Sequence, residues 1–408
     1  EVAAITVDGG NTIMTIGEEE FEAAGTYDRI LGEADGKLYT LEDCFETHRS
    51  GDLFTGTTRQ VVRVNRIYQG MHFNEGEVPG GNRVTIDLDW LAHWTGRTGI
   101  TGNMHFNSEP GKPHITMNGY RLPDETSIVS GGGSLTLRHG ISLQQNANAP
   151  AIGQQFTLEV SYPGVTTAEN LIDVASDLQD LVSIGTGRTA AFNRLAIFHP
   201  DGDRTLPTGS RVRKPINVFA QWTARRSSSS KPLHGRDLYF TLNDLGGMPT
   251  VARWLKVAEK HRDTLGRVMA TRYETKMYVT DRYLNRMAAL EAFNRKEAGD
   301  GNKKVSLERR LNRCADLAGQ PIVDLVGDVA AWIKILKSDR DDIAHHFGRR
   351  MHQHTAEQLY LAESAYWLYV LCLLRLAGAP DSVFNRIIQH QEFQFLRRRL
   401  AKFLPSAT

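Results

Sequence analysis

The spacing of apolar residues divides the chain into two parts with different predicted structures. Up to about residue 245, short runs of β-branched and aromatic residues alternate with glycine, proline and asparagine. This pattern is typical of strands separated by turns. One helix interrupts them over 166–184, where apolar residues recur every three or four positions. The predicted strands include 60–68, 134–138, 155–162, 196–198, 217–222 and 237–242.

From about residue 246 the apolar residues follow a helical period, and glycine becomes rare: 28 of the 37 glycines lie in 1–245. The segment 359–376 is apolar nearly all round, so we expect it at the centre of a helical bundle. The chain is therefore predicted to be an α+β protein, with a β-rich domain over 1–245 and an all-helical domain over 246–408. The predicted helices are 249–265, 273–297, 305–318, 321–345, 355–377 and 382–403.

Charge separates the same two parts, although the whole chain carries a formal net charge of only +1. Residues 246–408 hold 27 Lys and Arg against 18 Asp and Glu, a net charge of +9. Residues 1–245 hold 21 against 29, a net charge of −8. A basic helical domain is typical of nucleic-acid binding, and basic residues that only keep helices soluble are the alternative.

The cysteines and the longest apolar run indicate where the protein works. Cys44, Cys314 and Cys372 are far apart in the sequence and form no CxxC spacing, which is typical of a reducing compartment. No secretory signal is visible, and the apolar run 365–374 is too short to cross a bilayer. We therefore expect a cytoplasmic protein without a membrane partner.

An arginine occupies an apolar stripe in the segment 338–350. Apolar residues in steps of four and three mark one face of the helix predicted over 321–345, and the next position of that stripe is Arg340. An unpaired guanidinium is costly to bury, so an arginine there needs a partner, water or a function. A structural salt bridge is the alternative to a functional role. The stripe consists of Ile322, Val326, Val329, Ile333 and Leu336.

His345 follows Arg340 by five residues, about 140° further round an ideal helix. On a straight helix the two side chains do not meet, so either the helix distorts or a second chain supplies the counterpart of each group. Asp341 shares a face with His345 at the i, i+4 spacing, where its carboxylate can orient the imidazole and favour its protonated form.

This combination suits RNA cleavage without a metal ion. The ribose 2′-hydroxyl is the nucleophile, a histidine moves protons near neutral pH, and an arginine holds the phosphate and stabilises charge in the transition state. We therefore expect Arg340 and His345 to be catalytic, and products with a 2′,3′-cyclic phosphate and a 5′-hydroxyl. No cofactor is expected.

The Arg340-x4-His345 spacing near the end of a helix in a basic bundle resembles the R-x(4–6)-H motif of HEPN ribonuclease domains. The long apolar segment 365–378 looks like the helix that follows the motif in ApeA-like HEPN proteins, and 283–291 resembles an earlier helix. Segments 53–56, 70–73 and 178–184 resemble the β-rich N-terminal domain of the same proteins. The resemblance covers most of the chain, and the motif alone assigns chemistry.

The resemblance to ApeA-like proteins implies a bacterial anti-phage effector of the abortive-infection type. In that family the HEPN domains pair, and two motifs form one composite site, so a homodimer or a higher oligomer is expected. The N-terminal domain would be regulatory, sensing a trigger derived from the phage. The residue after the arginine is often Asn or another uncharged polar residue in HEPN motifs, whereas here it is Asp341. Its carboxylate would either weaken RNA binding or serve His345.

Basic and polar neighbours complete the predicted site. We assign Lys337, Arg349 and Arg350 to RNA binding because their positive charges flank the motif. His346 joins Asp341 as a supporting residue. We expect no metal site here, although His345, His346, His352 and His354 are crowded in the sequence and zinc binding is a rival interpretation.

Two further alternatives remain. One is a HEPN domain without catalysis, acting as an RNA-binding or dimerisation scaffold. The other is a separate enzyme in the β-rich domain, for which Asp87 and Asp89 would share one strand face. An exposed strand face has the same pattern. The glycine run 131–133 lacks the residues of a phosphate-binding loop and is predicted to be a turn.

Overall fold

The structure is a computed structural model of the 408-residue chain. It describes residues 2–8, 11–17, 26–51, 58–106, 113–144, 151–205, 208–209, 211–220, 223, 233–274, 276–299, 304–345 and 355–404. Antiparallel strands occupy the N-terminal region and helices the C-terminal region, so the predicted α+β class is confirmed.

The strands are formed by the segments rich in β-branched and aromatic residues. They are β1 (Val2–Asp8), β2 (Asn11–Gly17), β3 (Thr26–Ala34), β4 (Lys37–Gly51), β5 (Thr58–Gln69), β6 (Gly80–Leu88), β7 (Ile100–Phe106), β8 (Pro113–Gly119), β9 (Glu125–Val129), β10 (Gly133–Gln144), β11 (Ala151–Thr167), β12 (Phe192–Phe198), β13 (Asp203–Thr205), β14 (Arg211–Arg213) and β15 (Ile216–Ala220).

Within the described residues, eleven strands form one antiparallel sheet. Its order is β1-β2-β5-β15-β12-β6-β11-β10-β9, and β4 pairs with both β3 and β5. The strands β7–β8 and β13–β14 form two-stranded sheets of their own. Side chains alternate across the sheet, so that Val84, Ile86 and Leu88 of β6 are buried. The predicted turn at 131–133 is found between β9 and β10, where Gly131 has a φ of 73°.

Two helices lie in this part of the chain, the short α1 (Leu91–Thr95) and the amphipathic α2 (Ala168–Thr186). The apolar period predicted for 166–184 produces α2, whose buried side chains recur at helical spacing. They include Leu171, Ala175, Leu178, Leu181 and Val182.

The C-terminal helices are α3 (Met248–Tyr273), α4 (Val279–Ala298), α5 (Leu307–Ala318), α6 (Gln320–Val326), α7 (Val329–His345), α8 (Thr355–Leu376), α9 (Asp381–Gln389) and α10 (Gln391–Leu400). Helix α8 is buried along most of its length, as its uniformly apolar sequence predicts. By length and composition α8 would suffice to span a bilayer, but 72% of that apolar window is packed inside the protein, which is typical of a core helix.

The chain separates into two compact units, each with its own core. One contains residues 1–92, 97–179 and 190–230, and the other contains 93–96, 180–189 and 231–408. The second unit therefore takes in short segments from the N-terminal half. The domain limit at residues 245 and 246 stays a prediction.

Three secondary-structure predictions were wrong, of which one is the helix predicted over 382–403: it is two helices, α9 and α10, separated at His390. The helix predicted over 321–345 is two helices, because Gly327 adopts a φ of 72° and the Asp328 carboxylate accepts a hydrogen bond from the Ala331 amide at the start of α7. The strand predicted over 237–242 does not form: residues 235–237 make a 3₁₀ turn, and the Tyr239 and Phe240 amides donate to the Gly185 carbonyl.

Candidate functional site

Helix α7 carries the Arg-His motif and is anchored by its apolar side chains. Trp332, Ile333 and Leu336 are fully buried, and the Trp332 indole N–H donates to the Ser364 hydroxyl of α8 at 3.0 Å. Ile343 is also buried, two residues before the end of the helix. This packing fixes the last turns of α7, on which the predicted catalytic residues stand.

Arg340 lies on these last turns, and 35% of its side chain is exposed. Its Nη1 donates to Asp341 Oδ1 over 3.1 Å, and the Asp341 side chain is 46% exposed. An ion pair this open to water contributes at most about 1 kcal/mol to stability. The stripe position therefore does not bury the guanidinium, and this pair does not prevent Arg340 from binding an anion.

The structure brings Lys337 to the same end of α7. Its Nζ lies 3.9 Å from a carboxylate oxygen of Glu308 on α5, and both side chains are 44% exposed. The last turns of α7 thus carry two cations, Lys337 and Arg340, and three carboxylates, Asp339, Asp341 and Asp342. Lys337 and Arg340 are the groups of this surface that can bind a phosphate.

His345 is the last residue of α7, so its backbone lies one helical turn beyond Asp341, as the spacing requires. Its side chain lies outside the described part of the structure, as do His346, Arg349 and Arg350. The orientation of the imidazole by Asp341 therefore stays a prediction, and so do the roles of the other three residues.

Tyr283 of α4 is a residue of this site that motif reasoning did not single out. Its side chain is fully buried, and its hydroxyl donates to the Leu336 carbonyl oxygen of α7 over 2.6 Å. Burial raises the pKa of the Tyr283 phenol well above its usual value, with further contributions from the carboxylates of Asp339 and Asp341. Arg340 opposes this shift, which places Tyr283 in the electrostatic field of the motif.

The rival sites gain little from the structure. Among the described residues, no group of three or more His, Cys, Asp or Glu is arranged to hold a metal ion. Most of the histidine cluster, from His346 to His354, lies outside the described residues, so the zinc interpretation is not tested there. All three cysteines are buried and free.

Asp87 and Asp89, the carboxylate pair predicted to share one strand face, lie close together in the structure. Asp87 lies on β6 and Asp89 in the turn that follows it, and the Asn193 side chain forms hydrogen bonds with both carboxylates. Gln155 Nε2 donates to Asp87 Oδ2 over 2.5 Å. Burial raises the pKa of both carboxyls. Hydrogen bonds from Gln155 and Asn193 thus hold the half-buried carboxylate of Asp87 in place on the sheet.

The described part of the chain thus consists of an antiparallel β-rich region followed by a helical region that carries the Arg-His motif. The family model described as ApeA N-terminal domain 1 matches residues 3–254, more than half of the chain. The chain therefore belongs to the ApeA-like family, and the resemblance seen in the sequence is confirmed. Comparisons with curated proteins and with solved structures gave no match.

The family match and the candidate site lie in different parts of the chain. The match begins at Ala3 in β1, includes all the other described strands and ends at Trp254, within α3. Arg340 and Lys337 lie beyond it, in helices that the match does not reach. Family membership thus rests on the β-rich part, and the predicted chemistry rests on the helical part.

Proposed function

We propose that this protein is a metal-independent endoribonuclease of bacterial anti-phage defence, with a HEPN-type site built on Arg340 and His345. The observation that carries the proposal is the position of Arg340. It stands half-exposed on the last turns of α7, five residues before the histidine that ends the helix. The ApeA-like N-terminal region supports the defence role, because the resemblance to that family implies anti-phage activity.

The reaction needs only groups that the chain and the RNA supply. His345 accepts the proton of the ribose 2′-hydroxyl, and the 2′-oxygen attacks the adjacent phosphorus. The bond from phosphorus to the 5′-oxygen of the next nucleotide breaks, and that oxygen takes up a proton from an imidazolium. The products are a 2′,3′-cyclic phosphate and a 5′-hydroxyl. Arg340 binds the phosphate and stabilises the charge of the pentavalent transition state.

Two copies of the motif would provide both proton-transfer groups. One histidine acts as the base and the other as the acid, so we propose that the helical parts of two chains pair, as a dimer or within a larger oligomer. Lys337, Arg349 and Arg350 would bind neighbouring phosphates of the RNA. The β-rich part would respond to a trigger derived from the phage in the cytoplasm and hold the nuclease inactive until then.

The test is cleavage of total bacterial RNA by the purified full chain in excess EDTA, with the product ends mapped. His345→Ala is compared with wild type and with His48→Ala, which removes an exposed histidine of β4. Once the trigger is supplied as lysate from phage-infected cells, we expect EDTA-resistant cleavage with cyclic phosphate ends that is lost in His345→Ala alone. Cleavage that persists in His345→Ala, or that stops with EDTA, would contradict the proposal.

A latent nuclease and a scaffold are separated by adding lysate from phage-infected cells. A latent enzyme cleaves RNA only with that lysate, and only when His345 is present. The scaffold alternative predicts RNA binding or dimerisation by wild type and His345→Ala alike, without cleavage under either condition. Sedimentation of the purified chain tests the pairing, for which we expect at least twice the mass of one chain.

A further inference from the structure

One buried hydroxyl joins helix α4 to the turn of α7 that bears Arg340. The Tyr283 side chain is completely inaccessible to water, and its hydroxyl donates to the Leu336 carbonyl oxygen over 2.6 Å. In an α-helix the carbonyl of residue 336 also accepts the amide of residue 340. A carbonyl oxygen has two lone pairs, so it can accept both bonds. Tyr283 therefore binds the same acceptor that holds the backbone of Arg340.

The surroundings keep this hydroxyl a donor. Burial and the carboxylates of Asp339 and Asp341 raise the pKa of Tyr283 well above its usual range, so the phenol stays protonated at neutral pH. A protonated phenol donates to a carbonyl, whereas a phenolate cannot. The bond to Leu336 thus persists over the pH range in which a histidine shuttles protons.

The hydroxyl does more than fill space. Phenylalanine would occupy almost the same volume in this packing, so the apolar contacts of Tyr283 do not require a tyrosine. The Leu336 carbonyl already accepts a hydrogen bond within α7, so it does not need the tyrosine as a hydrogen-bond donor. What the hydroxyl adds is a fixed link between α4 and the α7 turn at Leu336, one turn before Arg340.

We infer that Tyr283 is a positioning residue for Arg340: its hydroxyl fixes the α7 turn from which the guanidinium reaches the scissile phosphate. This inference rests on the proposed function. The Arg340 guanidinium lies at the protein surface, where its ion pair with Asp341 is partly exposed and holds it weakly. The position of the guanidinium therefore depends on how rigidly the backbone of Arg340 is held. A displacement of about 1 Å in a phosphate-binding group can reduce a rate by up to about a hundredfold.

The test compares Tyr283→Phe with Tyr369→Phe in the full-length chain. Tyr369 of α8 is also fully buried, and its hydroxyl bonds the Thr264 hydroxyl of α3 at 2.8 Å. Both variants lose one buried hydrogen bond, but only the first loses a bond to α7. We expect kcat for cleavage of total bacterial RNA to fall at least about tenfold in Tyr283→Phe, with little change in KM, and to stay near wild type in Tyr369→Phe.

A double-mutant cycle with Arg340→Ala distinguishes positioning from general damage to the fold. If Tyr283 acts through Arg340, then Tyr283→Phe lowers the single-turnover rate of wild type but not the residual rate of Arg340→Ala. An equal loss in both backgrounds would overturn the inference, as would a wild-type rate in Tyr283→Phe when Arg340→Ala is impaired.

Amide hydrogen exchange provides a readout that does not depend on nuclease activity. We expect faster exchange at the amides of residues 338–343 in Tyr283→Phe but not in Tyr369→Phe, because the last turns of α7 lose their link to α4. Unchanged exchange there would overturn the inference whatever the activity. If exchange changes as expected but wild type and Arg340→Ala give the same RNA products, the proposed function has failed rather than the positioning.

Discussion

Two arginines of the helical region show how the surroundings of a charge separate a structural role from a chemical one. Arg286 of α4 is fully buried: its Nε donates to the Thr271 hydroxyl, and its Nη1 donates both to the Ala362 carbonyl and to Glu363 Oε1. Arg340 of α7 is 35% exposed and pairs with its sequence neighbour Asp341. Both arginines lie on the apolar face of their helix, yet only Arg286 is enclosed by the core.

Arg286 belongs to a network of buried ion pairs and hydrogen bonds, which the partly exposed Arg340 does not need. Glu363 also accepts from Arg272 over 3.1 Å, and both guanidinium groups lie over the ring of Tyr366. These arginines lower the pKa of Glu363, although burial opposes the shift, so the carboxylate remains charged. Breaking such a pair leaves an uncompensated charge in the core, whereas breaking an exposed pair costs little. The fold accounts for Arg286, whereas we propose that a ligand accounts for Arg340.

The largest expected effect is on activity and comes from Arg340→Ala. The variant should reduce RNA cleavage at least about hundredfold, because the transition state loses its main cation. The thermal unfolding midpoint should stay within about a degree of wild type, because an exposed pair is lost. Arg267→Ala, which removes an exposed arginine of α3, is the matched control and should change neither quantity. A large loss of stability in Arg340→Ala would show that Arg340, like Arg286, has a structural role.

Arg286→Ala should produce the opposite result. It leaves Glu363 with fewer partners and opens space in the core, so the free energy of unfolding should fall by about 3 kcal/mol or more. Chemical denaturation followed by circular dichroism measures this change. Cleavage by the fraction that remains folded should keep the wild-type product ends. A stable Arg286→Ala variant with lost cleavage would show that the buried network serves catalysis as well.

A smaller effect is expected from Asp341→Asn. The substitution removes the carboxylate that now accepts from Arg340 and leaves the guanidinium free for phosphate. KM for RNA should fall roughly two- to fivefold, since an exposed ion pair is worth up to about 1 kcal/mol. Steady-state kinetics at constant ionic strength measures it. A fall in kcat with unchanged KM would instead assign Asp341 to the orientation of His345.

The smallest expected effect is the pH dependence of stability that comes from His261, a buried histidine of α3. Its Nε2 lies 2.6 Å from Glu297 Oε1, yet burial lowers the pKa of the imidazole and outweighs the carboxylate. The unfolded chain therefore takes up the proton more readily than the folded one. Stability from this group is present above about pH 6.5 and is lost as the pH falls below it.

Denaturation midpoints measured from about pH 7.5 down to about pH 5.5 test this sign. The midpoint of wild type should decrease on acidification, and His261→Gln should show a shallower decrease. Part of the slope should remain, because burial also lowers the pKa of His390. Greater stability at the acidic end in wild type would contradict the assignment. Tyr283→Phe should leave this slope unchanged.

The sequence was sufficient to predict the features that depend on local periodicity. Apolar spacing predicted α2 and α8 because their packing faces repeat along the chain. The break at Gly327 was missed because the apolar steps continue across it, from Val326 to Val329. The run 237–242 was predicted as a strand from its apolar and aromatic residues, but in the protein its backbone bonds a distant carbonyl.

The candidate site was predictable only in part, for a similar reason. Arg340 was identified because a charge on an apolar stripe is anomalous and because the spacing to His345 forms a motif. The contribution of Tyr283 could not be predicted from that pattern, since its acceptor is a backbone carbonyl 53 residues away. A carbonyl has no sequence signature. The exposed state of the Arg340–Asp341 pair likewise depends on how α7 ends in three dimensions.

The central claim is that Arg340 and His345 perform RNA cleavage, and mapping of product ends tests it most directly. Wild type and His345→Ala are incubated with total bacterial RNA in excess EDTA, with and without lysate from phage-infected cells, and the new 3′ ends are identified. The account predicts 2′,3′-cyclic phosphate ends from wild type and none from His345→Ala. The same ends from both proteins, or ends bearing a 3′-hydroxyl that disappear with EDTA, would contradict it.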